Sequence, residues 1–166
     1  MDLSGKPEAI EVETWTPSEI SRISPLVDYF VRMIELAGCI PGEEVEVELA
    51  LREAVSNAVI HGNGVDPRKR VHVTCCCTPG NGVSIVVGDE GQGFDPSEIP
   101  DHVGPDSEHG RGILLMKFYM DEVSFEKGGT EVHMRKQPAQ SVRQAGRSQS
   151  RKPDETLQFA TENGAV

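Results

Sequence analysis

The chain has 166 residues and a formal net charge of −11, the scale of one domain with possible tails and a charge that argues against free nucleic acid as its main partner. That length buries a sufficient core without disulfides. No apolar run approaches the roughly 18–20 residues that span a bilayer, and no secretory signal opens the chain, so the reading is a cytosolic protein away from membranes.

Residues 1–8 read as a flexible N-terminus. Residues 9–15 alternate, Ile10 and Val12 against Glu11 and Glu13, as in an edge or half-buried strand. Thr16-Pro17-Ser18-Glu19 has the form of a capping box with proline at the first helical position. Ser24-Pro25 repeats the signal. The spacing therefore predicts a short helix over 17–23, a break, and a second helix over 25–37 closed by Gly38. Leu26, Tyr29, Phe30, Met33, Ile34 and Ala37 form its expected buried stripe.

Pro41-Gly42 is a turn, and a longer helix starts near Glu43. Within it, residues 48–62 place Leu49, Ala50, Ala54, Ala58 and Val59 at helical spacing. Glu53, Asn57 and His61 recur every four residues, so they stack along one face. Gly62 and Gly64 end the helix. A carboxylate one turn from a carboxamide can share a ligand: the first takes a proton, the second holds a hard cation. The alternative is a solvated polar stripe on an amphipathic helix.

Residues 70–78 and 83–88 are strands of a hairpin turning at Pro79-Gly80-Asn81-Gly82, with Val71, Val73, Cys75 and Cys77 on one face. Adjacent cysteines do not readily bond to one another, and no C-x-x-C spacing occurs. Neither a disulfide framework nor a zinc site is indicated, and Cys75, Cys76 and Cys77 are expected as reduced thiols in a strand. Residues 89–112 form a loop of unusual length, which in a compact domain is usually functional. A short helix over 111–119 and two strands, 122–126 and 130–136, complete the pattern. Residues 137–166 hold few large apolar groups and are expected to be disordered. Residues 1–136 hold 12 Lys/Arg against 24 Asp/Glu, so the acidity belongs to the folded part. The order predicts an α+β sandwich, a mixed, mostly antiparallel sheet with helices on one face.

Three further segments carry chemistry. Asp89-Glu90-Gly91-Gln92-Gly93-Phe94 follows a buried strand; glycines let backbone approach a ligand, and the carboxylate can accept from an exocyclic amine. Gly110-Arg111-Gly112-Ile113 opens a helix whose free N–H groups and dipole suit phosphate. Gly128-Gly129-Thr130 puts a hydroxyl after a glycine turn. Each alone also reads as an ordinary turn.

In this order, E-x-x-x-N-A-x-x-H-G, D-x-G-x-G-F, G-R-G-I and G-G-T resemble the four boxes of the GHKL (Bergerat-fold) ATPase and kinase superfamily. More narrowly, residues 9–136 are similar to the bacterial anti-sigma-factor serine/threonine kinases, in REAVSNAVIHG, GDEGQGFDP and HGRGILLMKFYMDEVSF. Neither a P-loop nor a Rossmann fingerprint occurs.

The resemblance implies a two-layer Bergerat sandwich that binds ATP with Mg²⁺. By position, Asn57 would bind the metal and Glu53 would be the general base. Asp89 would accept from adenine N6, with Gly91 and Gly93 giving the base room and Thr130 helping at the adenine pocket. Residues 95–109 would form a lid, and Gly110 to Gly112 would hold phosphates, Arg111 adding charge. His61 is assigned no catalysis. No segment before residue 9 supplies the dimerisation helices of a sensor histidine kinase, so action on a partner in trans is expected. The implied partners are a small antagonist protein with an acceptor serine, a sigma factor that is sequestered, and a second copy in a homodimer. Arg22 sits where the family's partner-contacting arginine lies; it also reads as an exposed surface arginine. Ser24-Pro25 departs from the sporulation-type members. The competing function is a nucleotide-gated protein-binding module without kinase activity.

Overall fold

The structure, a computed structural model, describes residues 8–99 and 110–139. Among the described residues, five strands form one sheet: β1 (Ile10–Pro17), β2 (Arg70–Thr78), β3 (Gly82–Asp89), β4 (Glu122–Glu126) and β5 (Glu131–Lys136), in spatial order β1-β2-β3-β5-β4. Every pairing is antiparallel. Three helices, α1 (Ile20–Ala37), α2 (Glu44–Asn57) and α3 (Arg111–Tyr119), complete the α+β fold expected from the order of elements.

Strand alternation sets the core. On β2, Val71, Val73, Cys75 and Cys77 are buried while their neighbours are half-exposed. Their register partners Asp89, Val87, Ile85 and Val83 continue that face onto β3. Val87 pairs in turn with Val132 and Ile85 with Met134 on β5. Against this face lie Val27, Phe30 and Ile34 of α1 and Val47, Ala50, Leu51, Ala54 and Val55 of α2. Each fully buried aliphatic side chain contributes roughly 1.5–3 kcal/mol.

Three expectations need correction. The break before Pro25 is absent, because α1 runs without interruption and contains the proline. Proline removes the bond to the carbonyl of Ser21, but both residues are exposed, so that carbonyl is left open to solvent rather than buried. The stripe Ile23, Val27, Phe30 and Ile34 keeps the helix seated. Thr16 to Glu19 is no capping box: β1 extends to Pro17, and the buried Ser18 donates its hydroxyl to the Val59 carbonyl at 3.3 Å. Tyr29, expected inside, is 54% exposed.

The cysteine reading also changes. Cys77 is bonded to Cys39, with Cα atoms 5.8 Å apart, while Cys75 is free and buried and Cys76 free and half-buried. Cys39 follows α1 and is delivered onto the helix-facing side of β2, a meeting across 38 residues that local spacing does not reveal. Of the expected tail, residues 137–139 pack on the domain: the Gln137 N–H donates to Asp121 and the Ala139 N–H to Glu43. The rest of it lies outside the described residues.

Candidate functional site

The organising helix does not end as a plain α-helix. After Asn57 the chain forms a π turn, Ala58–Gly62, with the Asn63 N–H donating to the Ala58 carbonyl at 2.9 Å. Such single π turns widen a helix locally and re-aim the residues after them. Here they bring Gly62 and Asn63 against the turn that leaves β3 at Asp89.

A cleft of about 660 Å³ opens between α2, α3 and the sheet, a size suited to a small-molecule ligand. Among the described residues, Asn57, Asp89, Gly93, Gly110, Gly112 and Thr130 line it, six of the residues singled out by sequence. At one end Asn57 crowds the start of α3 together with Glu53, which itself does not line the cleft. A Cβ on Gly112 would lie 2.6 Å from Glu53 Oε2 and 3.3 Å from Asn57 Nδ2. α3 begins after Gly110, which is in a left-handed conformation and has no side chain with which to cap it.

Asp89 occupies the other end. Its Oδ1 accepts the Gly91 N–H at 2.8 Å, and its own N–H donates to the Thr130 carbonyl at 3.0 Å. Burial pushes its carboxyl above the ordinary range, against the Gly91 N–H and the charge of Lys69, which pull it down. Gly93, at φ +72, turns the chain so that the Phe94 N–H reaches the Gly128 carbonyl at 2.9 Å. The D-x-G-x-G turn is thus docked on the β4–β5 hairpin.

Gly91 stands behind Asp89, against the Gly62 carbonyl, and does not line the cleft. Thr130 lines it, but its hydroxyl donates to the Lys127 carbonyl at 3.0 Å. Arg111 is exposed and outside the lining. Arg22 lies on the exposed start of α1, 3.6 Å from Glu19, and forms no part of the cleft. His61, given no role from sequence, lines the cleft from the π turn. Of the expected lid, residues 100–109 lie outside the described residues; Asp95 caps the 3-10 turn Pro96–Glu98 by accepting the Ser97 N–H at 2.9 Å.

Sequence reasoning missed the apolar walls Val87, Ile113, Met116, Phe125 and Val132. It also missed Asn63, a buried polar side chain in a stretch that reads as loop.

Comparison with known proteins adds an independent result. Residues 16–136 match the family model described as histidine kinase-like ATPase domain. The chain is 32% identical over 107 residues to the anti-sigma F factor of Oceanobacillus iheyensis, covering 60% of this chain and 73% of that protein. It is 36% identical, with the same coverage, to the anti-sigma F factor of Geobacillus thermodenitrificans. A third relative, from Clostridium novyi and also named anti-sigma F factor, is 34% identical over 102 residues, covering 57% and 71%.

Proposed function

Since the chain belongs to the histidine kinase-like ATPase domain family, we propose that it is an ATP-dependent protein serine/threonine kinase acting as an anti-sigma factor. It phosphorylates a small antagonist protein on serine and sequesters a sigma factor. The observation that carries the reading is the meeting of Glu53 and Asn57 at the start of α3, with Asn57 lining the same cleft as Asp89.

Asp89 accepts the adenine N6 amine, with Gly93 and Thr130 beside the base and Gly91 bracing the carboxylate. The amides from Gly110 to Gly112, at the start of α3, receive phosphate oxygens, which suit the positive end of a helix. The corner fits a hard cation: Asn57 offers an amide oxygen next to the Glu53 carboxylate, and Mg²⁺ needs few protein ligands. Asn57 would hold it, and the ion when bound neutralises phosphate charge. Glu53 orients the acceptor serine and takes its proton. The serine Oγ forms the new bond to the γ-phosphorus, the bond from that phosphorus to the β,γ-bridging oxygen breaks, and ADP leaves. In phosphoryl transfer the protein mainly positions and neutralises, so this sparse set is sufficient.

The reading carries with it a homodimer and a cytoplasmic location. Among the described residues no helix is long and apolar enough to cross a membrane. The test mixes the protein with Mg-ATP and candidate antagonist domains and reads intact mass. One added phosphate on a partner is expected, with transfer reduced roughly 10²–10⁴-fold in Glu53→Gln while ATP still binds. Undiminished transfer in that variant removes Glu53 as the base. ATP binding without any transfer identifies a nucleotide-gated binding module instead.

A further inference from the structure

The Asp89 end of the cleft is built on two residues that the catalytic reading leaves unused, Gly62 and Asn63. Both stand where the π turn closes. The turn delivers the Asn63 side chain into the space between β2 and the Asp89–Gly91 turn, where it is only 3% exposed. Its amide nitrogen donates to the Arg70 carbonyl at 2.9 Å. Its amide oxygen accepts the Glu90 N–H, also at 2.9 Å. One carboxamide therefore ties the first residue of β2 to the residue that follows Asp89. A buried polar side chain satisfied at both ends holds its partners firmly.

Gly62 acts through the volume it leaves open. A Cβ there would stand 2.6 Å from Asp89 Oδ1 and still closer to the rest of the carboxylate. The carboxylate thus rests on Gly62, is held from the side by the Gly91 N–H, and follows a backbone fixed on one side by Thr130 and on the other by Asn63.

We propose that Gly62 and Asn63 form a seat that sets the position of the Asp89 carboxylate, and with it the preference of the cleft for a purine bearing a 6-amino group. The inference rests on the adenine-pocket reading above. Hydrogen bonds weaken steeply with distance and misalignment, so a seat displaced by a fraction of an ångström loses the amine contact and leaves the phosphate contacts unchanged. Asn63 and Gly62 are positioning residues: Asn63 does not line the cleft, Gly62 lines it without a side chain, and neither is assigned a contact with the nucleotide.

The test uses the full chain and two ligands, ATP and the triphosphate of purine riboside, which keeps ring, sugar and phosphates but lacks the 6-amino group. Dissociation constants are measured by calorimetry for the wild type, Asn63→Ala and Gly62→Ala, with melting temperatures alongside. In both variants ATP should weaken roughly tenfold or more, the loss of one hydrogen bond to a charged group. The analogue should stay within about twofold of wild type, so the preference collapses. Equal weakening of both ligands, in step with a fall in melting temperature, would overturn the seat and leave only a structural role. Variants that keep the wild-type preference overturn it too. A wild type that does not prefer ATP over the analogue removes Asp89 as the amine acceptor, and the adenine-pocket reading falls together with the seat. Should Asn63→Ala fail to fold, Gly62→Ala carries the test, since it displaces the carboxylate without removing a hydrogen-bonding side chain.

Discussion

Asp89 accepts most strongly from an amine when ionised, yet its burial favours the neutral form. The sign of the consequence follows from linkage. The folded pKa lies above the ordinary carboxylate value, so the protein gains stability as pH falls through that folded pKa, and at neutral pH the ionised group is a net cost. Asp89→Asn is therefore expected to raise the melting temperature of the nucleotide-free protein at neutral pH while weakening ATP roughly tenfold or more. In the wild type, ATP affinity should decline on acidification earlier than an ordinary carboxylate would dictate. Melting curves and ATP titrations from mildly acidic to neutral pH check both; an Asn variant that melts lower shows that burial is not the dominant influence on Asp89. Gly112 gives a second prediction. Its missing Cβ leaves room for Glu53 and Asn57, both flexible at their tips, so Gly112→Ala should fold normally and lose activity. A fall of about 10–100-fold in transfer is expected, because misplacing a catalytic group by about 1 Å costs that order. Steady-state transfer alongside a melting curve decides, and unchanged transfer would mean that Glu53 does not need its present place.

Elements are tied together through Lys136, the last inward residue of β5. Its ammonium donates to Glu46 of α2 and to the Tyr119 carbonyl at the end of α3, the latter at 2.8 Å, and lies 3.5 Å from Glu43. Burial works against the ammonium, but Glu46, Glu43 and Asp121 outweigh it and hold its pKa above the ordinary value. A raised lysine pKa stabilises fully below the unfolded value and loses that contribution as pH rises through the folded one. Lys136→Met should cost about 1–3 kcal/mol at neutral pH, less than a fully buried pair because Glu46 is 43% exposed. It should also remove much of the alkaline decline in stability; denaturant melts at neutral and alkaline pH that differ equally in both proteins would show the tie to be inert. Lys136 also marks what the sequence made legible. Strand patterns gave all five strands, and period-2 alternation puts Val132 and Met134 on one face, because alternation is a local property. The same rule puts Lys136 on that face, but could not say that it meets acids 90 and more residues away in the chain. Pro25 misled for a related reason: proline predicts a break locally, but the packed stripe of α1 holds the helix through it. The site boxes were readable because each is a short glycine or polar pattern. Asn63 was not, since only the π turn brings it under Asp89.

At the scale of the whole molecule, the Cys39–Cys77 bridge closes a loop that contains all of α2, the π turn and most of β2. Glu53, Asn57, Gly62 and Asn63 all lie within that loop. In the chain-entropy picture, closing a loop of this length removes about 4 kcal/mol worth of freedom from the unfolded chain. Both cysteines are fully buried in the core, so their packing is expected to survive reduction of the bond. In a reducing compartment the same residues sit as buried thiols. Reduction, or paired Cys39→Ala and Cys77→Ala changes, should then lower the melting temperature by about 5–15 °C. ATP affinity should stay within about twofold, because the constraint acts mainly on the unfolded chain. Cys75 does not compete for the bridge. Burial, with the neighbouring Cys76, pushes its thiol up to about 12, so it stays protonated near neutral pH and does not attack the disulfide. Peptide mapping of the oxidised protein should accordingly find Cys39 joined to Cys77 with Cys75 free. Oxidised and reduced samples that melt together would remove the bridge from the stability of the domain. A reduced sample that loses ATP affinity while melting unchanged would instead show that the bond acts on the folded cleft, through the α2 segment it encloses.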